Sequence, residues 1–532
     1  MRERRKRFLM LACGLLLLWA AAQSNHSANR LRSKYHLTQT VYLDNAPPEV
    51  AFTTVALGAF NGLLADFLWM RAMGLQEGGK YFEAVQLADW ITKLQPRFTL
   101  VWLFQAWNMA YNISVEFPFD ANRGWEDRWH WVQRGSELLR EDGMKYNPND
   151  PELYRELAWI FFDKMGGQND DANMYYKQQW AKQMTELFDG PKPDYASLIA
   201  APKTVEALRK DAQVAALLDS LAADGVDFAE DYLRIKDEQL DVPAAAKKKI
   251  ADPANKAACD RVSLYARAAT LRGKYQTDPA EMQQLDKDYG ELEWRLPEAH
   301  GVYWTIKGAA LDPKDTSIHS LNNDRVLLHA LESNFERGHV LFMTEEGVPL
   351  TDNNPNVVPK LHEYWDKLEE RYPEDKDSLE VGHLNYLRAA VRMLTLFNRT
   401  SEAQKYFDLL KKRRPRDFGA IPDIQEFTLR EFSKDIAEGS GQKDTYNFIM
   451  GTLHRLYLYL AVGEADQAAG SDQFAKWVYD RYMAKWADKP SRHLPPFATM
   501  KKTMLDLCLK EFPPALRDRL QEQANMARGG GR

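Results

Sequence analysis

Cysteine is scarce in this chain of 532 residues, and its scarcity excludes several kinds of site. The three cysteines are Cys13, Cys259 and Cys508, and no two of them form a CxxC pair. A disulfide framework needs more cysteines, and a zinc ribbon or a redox dithiol needs paired ones. The sequence therefore excludes a disulfide framework and leaves open at most a single bridge between Cys259 and Cys508.

Alternating strand patterns and an excess of positive charge are also missing. The run at residues 339–349 (HVLFMTEEGVP) is compatible with one short hairpin, but helical periodicity prevails elsewhere, so we predict an all-α fold. The formal net charge is −6 and the pI is about 6.1, which argues against a general nucleic-acid surface. Hydrophobic residues make up 45% of the chain, enough for a large core.

The N-terminus carries a targeting pattern. MRERRKR is basic, and the 15 residues at 8–22 are apolar, whereas a membrane-spanning helix usually needs about 20. A basic start stays in the cytoplasm and sends the following chain across the membrane. Two versions remain open: a single-pass anchor in the inner membrane with the bulk of the chain periplasmic, or secretion after cleavage near Ala22.

The stretch from Gly79 to Pro96 (GKYFEAVQLADWITKLQP) predicts one amphipathic helix. Gly78 and Gly79 supply a turn before it, and Pro96 stops it. A second helical pattern precedes the turn and includes part of the apolar stretch Val50–Met73. That stretch contains polar and charged residues, which favour a buried helix over a membrane span. The predicted apolar stripe is Tyr81, Ala84, Val85, Ala88, Ile91 and Leu94.

This helix–turn–helix–Pro unit resembles the tetratricopeptide repeat of 34 residues. The second helix matches the pattern at Gly79, Tyr81, Ala84 and Pro96, while the first helix departs from it at Leu68 and Ala72. Similar spacing recurs at Trp102, at Tyr154, Leu157, Ala158 and Phe161, and later at Ala403 and Pro415. The resemblance implies an α-solenoid of tetratricopeptide-like helical hairpins.

Composition and the repeats together predict five segments. Residues 1–40 are the basic and hydrophobic anchor or signal segment, and residues 41–195 form an N-terminal repeat array. Residues 196–261 are rich in Ala, Lys and Asp and read as a charged helical linker or arm. Residues 262–420 form a second array, and residues 421–532 form a helical C-terminal region with a disordered tail.

No catalytic motif is visible in the sequence. Residues 74–80 (GLQEGGK) fit the first seven positions of a phosphate-binding loop, but Tyr81 replaces the required Ser or Thr. His329 and His339 flank two glutamates at a spacing that does not match HExxH. We therefore expect a protein that is not an enzyme, with no cofactor and no metal site.

The resemblance also implies where a partner binds. In tetratricopeptide proteins the first helix of each pair lines a concave groove. Transferring that geometry by position predicts a groove of nine residues, with the alternative that the protein's own neighbouring helices fill it. The nine residues are Asp66, Trp69, Met73, Leu103, Trp107, Tyr111, Arg155, Trp159 and Phe162.

The chain is similar overall to exported bacterial tetratricopeptide-like proteins. That similarity implies a non-enzymatic, membrane-anchored scaffold for protein–protein interactions in a cell-envelope assembly, such as a secretion or pilus machine. The expected partners are proteins and the membrane, without nucleic acid. An alternative is a helical glycan- or peptide-binding protein of an uptake system, and a third, less favoured, is an all-α carbohydrate-active enzyme.

Overall fold

A computed structural model describes residues 60–117, 124–315, 317–436 and 441–529, with five isolated positions between residues 19 and 30. Apart from those five positions, the predicted anchor or signal segment lies outside the described residues, as do the last residues of the tail. The described chain is mainly helical, which confirms the predicted all-α class. None of its helices is both long enough and apolar enough to cross a membrane.

The first two helices form the hairpin predicted around Gly79. They are α1 (Phe60–Glu77) and α2 (Tyr81–Leu94). Gly79 joins them with a φ of 72°, in the left-handed region that glycine enters without a steric penalty. The fully buried Ala84 and Ala88 let α2 approach α1 closely. The helix predicted between Gly79 and Pro96 is thus confirmed, together with most of its apolar stripe.

The next helices each contain a wider π-helical turn. They are α3 (Thr99–Trp107), π1 (Asn108–Ile113) and α4 (Ser114–Glu116), then α5 (Gly124–Glu137), π2 (Leu138–Gly143) and α6 (Met144–Tyr146), then α7 (Pro151–Trp159) and π3 (Ile160–Met165). A π turn shifts the direction of the side chains that follow it, and such turns are frequent at functional sites.

A small helical module follows α8 (Asn173–Phe188) and α9 (Tyr195–Ala200). Its helices are α10 (Val205–Leu208), α11 (Ala212–Ala222), α12 (Phe228–Lys236) and α13 (Ala244–Ile250). They pack against the first half of α14 (Lys256–Gly273) around Leu217, Leu221 and Phe228. This apolar cluster is separate from the main core, so the Ala- and Lys-rich segment has a core of its own.

The chain then returns to the N-terminal helices. After α15 (Pro279–Tyr289), the helix α16 (Pro297–Ala309) packs along α7 and π3, and α17 (Ile318–Arg337) packs beside it. Glycine allows the close crossing, because a Cβ atom at Gly308 would lie 2.8 Å from the Cβ of Tyr154. One apolar core runs from Trp102 to Leu520 and includes both regions.

The remaining elements extend this core to the C-terminus. A hairpin of β1 (His339–Met343) and β2 (Pro349–Asp352) pairs antiparallel, with His339 opposite Asp352. The helices that follow are α18 (Val358–Arg371), α19 (Lys376–Leu396), α20 (Thr400–Arg413), α21 (Pro415–Phe418), α22 (Ile424–Ile436), α23 (Gln442–Val462), α24 (Ala465–Lys485), α25 (Phe497–Glu511) and α26 (Pro514–Gly529).

Candidate functional site

Four of the nine predicted groove residues form an aromatic surface that we call the aromatic strip: Trp107, Tyr111, Trp159 and Phe162. Trp107 and Tyr111 stack with their ring centroids 4.1 Å apart and their planes tilted by 16°. Trp159 meets Phe162 edge to face at 5.5 Å. The Tyr111 hydroxyl donates a hydrogen bond of 3.0 Å to Asp163 beside Phe162, which ties the π1 part of the strip to the π3 part.

The strip is partly covered and partly open. Phe162 stacks on His329 of α17, with ring centroids 6.2 Å apart, and the backbone at Gly301 of α16 lies close to it. Trp107, in contrast, keeps 39% of its surface exposed. The alternative that neighbouring helices fill the groove therefore describes the Phe162 end, while the Trp107 end is accessible to a partner.

Two acidic side chains lie beside the strip. Glu156 has a buried Oε1 atom that makes no hydrogen bond. Burial raises the pKa of Glu156 to about 7; the nearby carboxylates of Asp163 and Glu152 also raise it, and Arg155 opposes the shift. Burial, followed by the charge of Asp163, holds the pKa of Tyr111 well above its ordinary value. The strip therefore has the Asp163 carboxylate at Tyr111 and, beside it, a Glu156 carboxyl that is partly protonated at neutral pH.

A buried ion pair, Lys164 with Asp170, lies next to the Tyr111 ring of the strip. The Lys164 ammonium lies 2.5 Å from Asp170 and 5.2 Å from the centroid of the Tyr111 ring. Burial lowers the pKa of Lys164, and Asp170 only partly opposes that shift. Burial alone would raise the pKa of Asp170, but its hydrogen bonds with Lys164 and with the backbone of Ala172 lower it overall. Lys164 is thus paired with Asp170, and Asp163 accepts its hydrogen bond from Tyr111.

The other five predicted groove residues lie elsewhere. Trp69 packs against Phe98 and Phe104, in a small cluster separate from the main core. Leu103 is half-buried against the main core, and Arg155 lies 3.6 Å from Glu152. The remaining two, Asp66 and Met73, are exposed on α1.

The motifs that resembled catalytic sites have simpler structural roles. Residues 74–80 form the end of α1 and the turn into α2, so the similarity to a phosphate-binding loop reflects the hairpin. His329 lies 3.3 Å from Glu332, and His339 lies 3.0 Å from Glu464. Each of these contacts is an ordinary pair of one histidine with one carboxylate at the edge of the core.

A polar cavity of about 450 Å³ was not anticipated from the sequence. It lies where the loop before α9, the loop before α16, the β hairpin and α24 meet. Several of its charged groups already have partners inside the cavity. Lys192 lies 3.2 Å from Glu291, and Asp286 accepts hydrogen bonds from the uncharged side chains of Tyr195 and Trp294. Internal pairing leaves the aromatic strip as the better candidate for ligand binding.

A second group that sequence reasoning missed joins α18 and α19. His362 and Asp366 on α18 lie near His383 on α19. The spacing of His362, Asp366 and Glu369 marks one face of α18 in the sequence, since side chains four and three residues apart are helical neighbours. Nothing in that spacing indicates that His383, 21 residues after His362, completes the group.

Comparison with known protein families finds no family model that matches this chain, and comparison with curated proteins finds no similar sequence. The fold and the site define an all-α protein with an aromatic surface that is exposed at Trp107 and carries the Asp163 carboxylate.

Proposed function

We propose that this protein is a non-enzymatic scaffold, an α-solenoid of tetratricopeptide-like hairpins, whose aromatic strip binds a peptide segment of a partner protein. The observation that carries the proposal is the stacked Trp107–Tyr111 pair, which is open to solvent at Trp107 and hydrogen-bonded to Asp163. Aromatic side chains contribute much of the binding energy at protein interfaces. A partner that covers Trp107 would bury an apolar ring that is now exposed.

The charges beside the strip indicate the chemistry of the partner. The Asp163 carboxylate lies next to the Tyr111 ring, whereas Lys164 is already paired with Asp170. A cationic side chain gains both from a carboxylate and from the face of a tryptophan ring. We therefore propose a peptide that carries an apolar or aromatic residue together with Lys or Arg.

The N-terminal sequence supports a location for this scaffold. A basic start followed by 15 apolar residues is typical of a signal anchor or a signal peptide, which would hold the helical part outside the cytoplasm. We propose an anchor in the inner membrane, with the strip presented to protein partners of a cell-envelope assembly.

Site-specific photocrosslinking in cells tests this proposal. A benzophenone amino acid at Trp107 should give a discrete polypeptide adduct, and the same group at the exposed Met174 of α8 serves as the control. The Trp107 adduct should weaken when Asp163→Asn removes the nearby charge and persist when the exposed Phe82 of α2 is changed to Ala. Identical adducts from Trp107 and Met174, or an adduct indifferent to Asp163→Asn, would contradict the proposal.

Glycan binding is a second candidate, favoured by the nearly parallel Trp107–Tyr111 stack with carboxylates beside it. Sugar rings stack on aromatic faces, and carboxylates accept hydrogen bonds from sugar hydroxyls. Isothermal titration with envelope and storage oligosaccharides distinguishes the two functions. Trp90→Ala is the control, because Trp90 is 51% exposed on α2. Oligosaccharide binding that is lost in Trp107→Ala and retained in Trp90→Ala would favour a glycan over a peptide as the ligand.

A further inference from the structure

Two histidine rings on neighbouring helices direct their nitrogens at each other. The Nδ1 atom of His362 on α18 lies 2.9 Å from the Nε2 atom of His383 on α19. Two imidazole nitrogens approach this closely when one proton lies between them or when both bind the same cation. Nitrogens that share one tetrahedral zinc ion at about 2.0–2.1 Å are themselves about 3.3–3.4 Å apart, so the two rings would have to separate by about 0.4 Å to take up an ion.

A carboxylate fixes the orientation of His383. The Oε1 atom of Glu369 lies 2.6 Å from Nδ1 of His383, so the ring donates its Nδ1 proton there and leaves the Nε2 lone pair directed at His362. Metal-binding histidines usually have such a carboxylate on their second nitrogen. His383 is fully buried, and Trp365 stacks on it at 5.5 Å with the planes 8° apart, so its ring is held in place.

Asp366 supplies a third ligand. It lies one turn after His362 on α18, and its Oδ2 atom is 3.6 Å from Nε2 of His362, the ring nitrogen that does not face His383. One ligand atom each from His362, His383 and Asp366 lies within 4.8 Å of the other two. Asp366 is 45% exposed, and its carboxylate must turn from its bond with Arg413 toward the two facing histidine nitrogens to reach bonding distance of a shared ion.

We propose that His362, His383 and Asp366 bind one divalent first-row transition metal, with Zn²⁺ as the reference ion. Imidazole nitrogen suits zinc, copper, nickel and iron, and three protein ligands leave a coordination position for water. The ion connects α18 to α19, the two helices that carry its ligands. This site is separate from the aromatic strip, so its existence does not depend on the scaffold function.

Arg413 lies beside the proposed site and binds two of its carboxylates, those of Asp366 and Glu369. Its guanidinium donates to Oδ1 of Asp366 at 2.7 Å and to Oε1 of Glu369 at 3.0 Å. These bonds hold both carboxylates in position and engage the Asp366 oxygen that does not face His362. The guanidinium charge also opposes a cation, so we expect binding weaker than in a closed site of four charged or imidazole ligands.

Metal titration of the tag-free, EDTA-treated full chain tests the site. Zn²⁺ should bind with a stoichiometry of one and a dissociation constant of about 10 µM or tighter by isothermal titration. Co²⁺ should give visible absorption bands that Zn²⁺ abolishes. His362→Ala and Asp366→Ala should each weaken binding at least about tenfold, which corresponds to about 1.4 kcal/mol. Zn²⁺ should also raise the unfolding temperature of the unchanged protein and not that of His362→Ala.

His329→Ala and His339→Ala are the matched controls, because each removes a histidine that pairs with one carboxylate outside this group. Both should bind Zn²⁺ like the unchanged protein. Circular dichroism in EDTA establishes that each variant is folded before titration. Absence of Zn²⁺ binding by the folded, unchanged protein, or binding that His362→Ala and Asp366→Ala leave intact, overturns the proposal and assigns the 2.9 Å contact to a proton shared between two rings.

Discussion

The carboxyl group of Glu156 titrates near neutral pH because the protein surrounds it. Its pKa is raised from 4.5 to about 7, chiefly by burial. The folded state therefore binds this proton more tightly than the unfolded state, so the contribution of Glu156 to stability falls as the pH rises from about 4.5 to about 7. Ionisation of Glu156 in the folded protein therefore costs stability, and groups with such shifted pKa values are frequent at functional sites.

Replacing Glu156 with Gln should remove this cost. We expect Glu156→Gln to raise the free energy of unfolding by about 1–3 kcal/mol at pH 8 and by less than about 1 kcal/mol at pH 5, where the carboxyl of the folded, unchanged protein is protonated. Denaturant unfolding at the two pH values measures the difference. Glu126→Gln, at an exposed carboxylate on α5, is the control. A stabilisation of equal size at pH 5 and pH 8 would show that ionisation of Glu156 is not its cause.

Single residues also show the limit of sequence reasoning about the site. Trp107 and Tyr111 are four residues apart, so helical spacing alone brings them together, and they do stack. Trp69 occupies the equivalent predicted position in the first unit, but it packs against Phe98 and Phe104. The difference depends on which neighbouring side chains fill the space, and spacing within one helix carries no information about that.

Among the helices, α19 and α24 meet at a contact that only glycine permits. A Cβ atom at Gly470 of α24 would overlap the backbone carbonyl oxygen of Leu396 at the end of α19. A backbone atom cannot move aside as the end of a flexible side chain can, so the two helices would have to separate.

This contact predicts opposite effects for the same substitution at two helical glycines. Gly470→Ala should lower the free energy of unfolding by about 3 kcal/mol or more through overpacking. Gly451→Ala on α23, where a Cβ atom meets nothing within 4 Å, should raise it by about 0.5–1 kcal/mol because alanine favours the helix. Thermal and denaturant unfolding of both variants measure the effects. If Gly470→Ala is as stable as Gly451→Ala, the close crossing of α24 and α19 is wrong.

The helices differ in how well the sequence predicts them. α2 was predicted from its apolar period, its glycine turn and Pro96, because all of these signals act over a few residues. The π turns were not predicted, although π1 and π3 carry Tyr111 and Asp163. A π turn differs from an α turn by one residue of hydrogen-bond spacing, and packing against other helices decides between them.

Across the whole molecule, the described chain has a main core and a separate core in the module of α10–α13. Leu221 of α11 is fully buried in the module, and Leu331 of α17 is fully buried in the main core. Regions with separate cores can open with different free energies. The module can therefore loosen while the main core stays folded.

Hydrogen exchange detected by mass spectrometry tests this separation. Leu221→Ala removes about 2–5 kcal/mol of local packing energy and should speed exchange in residues 205–250, with little change in α16 and α17. Leu331→Ala is the converse control and should speed exchange in α16 and α17. Uniform acceleration across the whole chain in Leu221→Ala would mean that the two cores unfold as one unit.

The sequence by itself determined the helical class, the hairpin at Gly79 and the Trp107–Tyr111 pair, because periodicity, turn residues and i, i+4 spacing act within a few residues. Only the tertiary structure decided that Asp163 meets Tyr111 and that His383 meets His362. Those contacts depend on how helices cross. At Gly382, for example, a Cβ atom would lie 2.5 Å from the Cη2 atom of Trp365, so only glycine leaves room for that ring. Trp365 in turn stacks on His383. Such crossings are set by packing between distant segments, which local patterns in the chain do not encode.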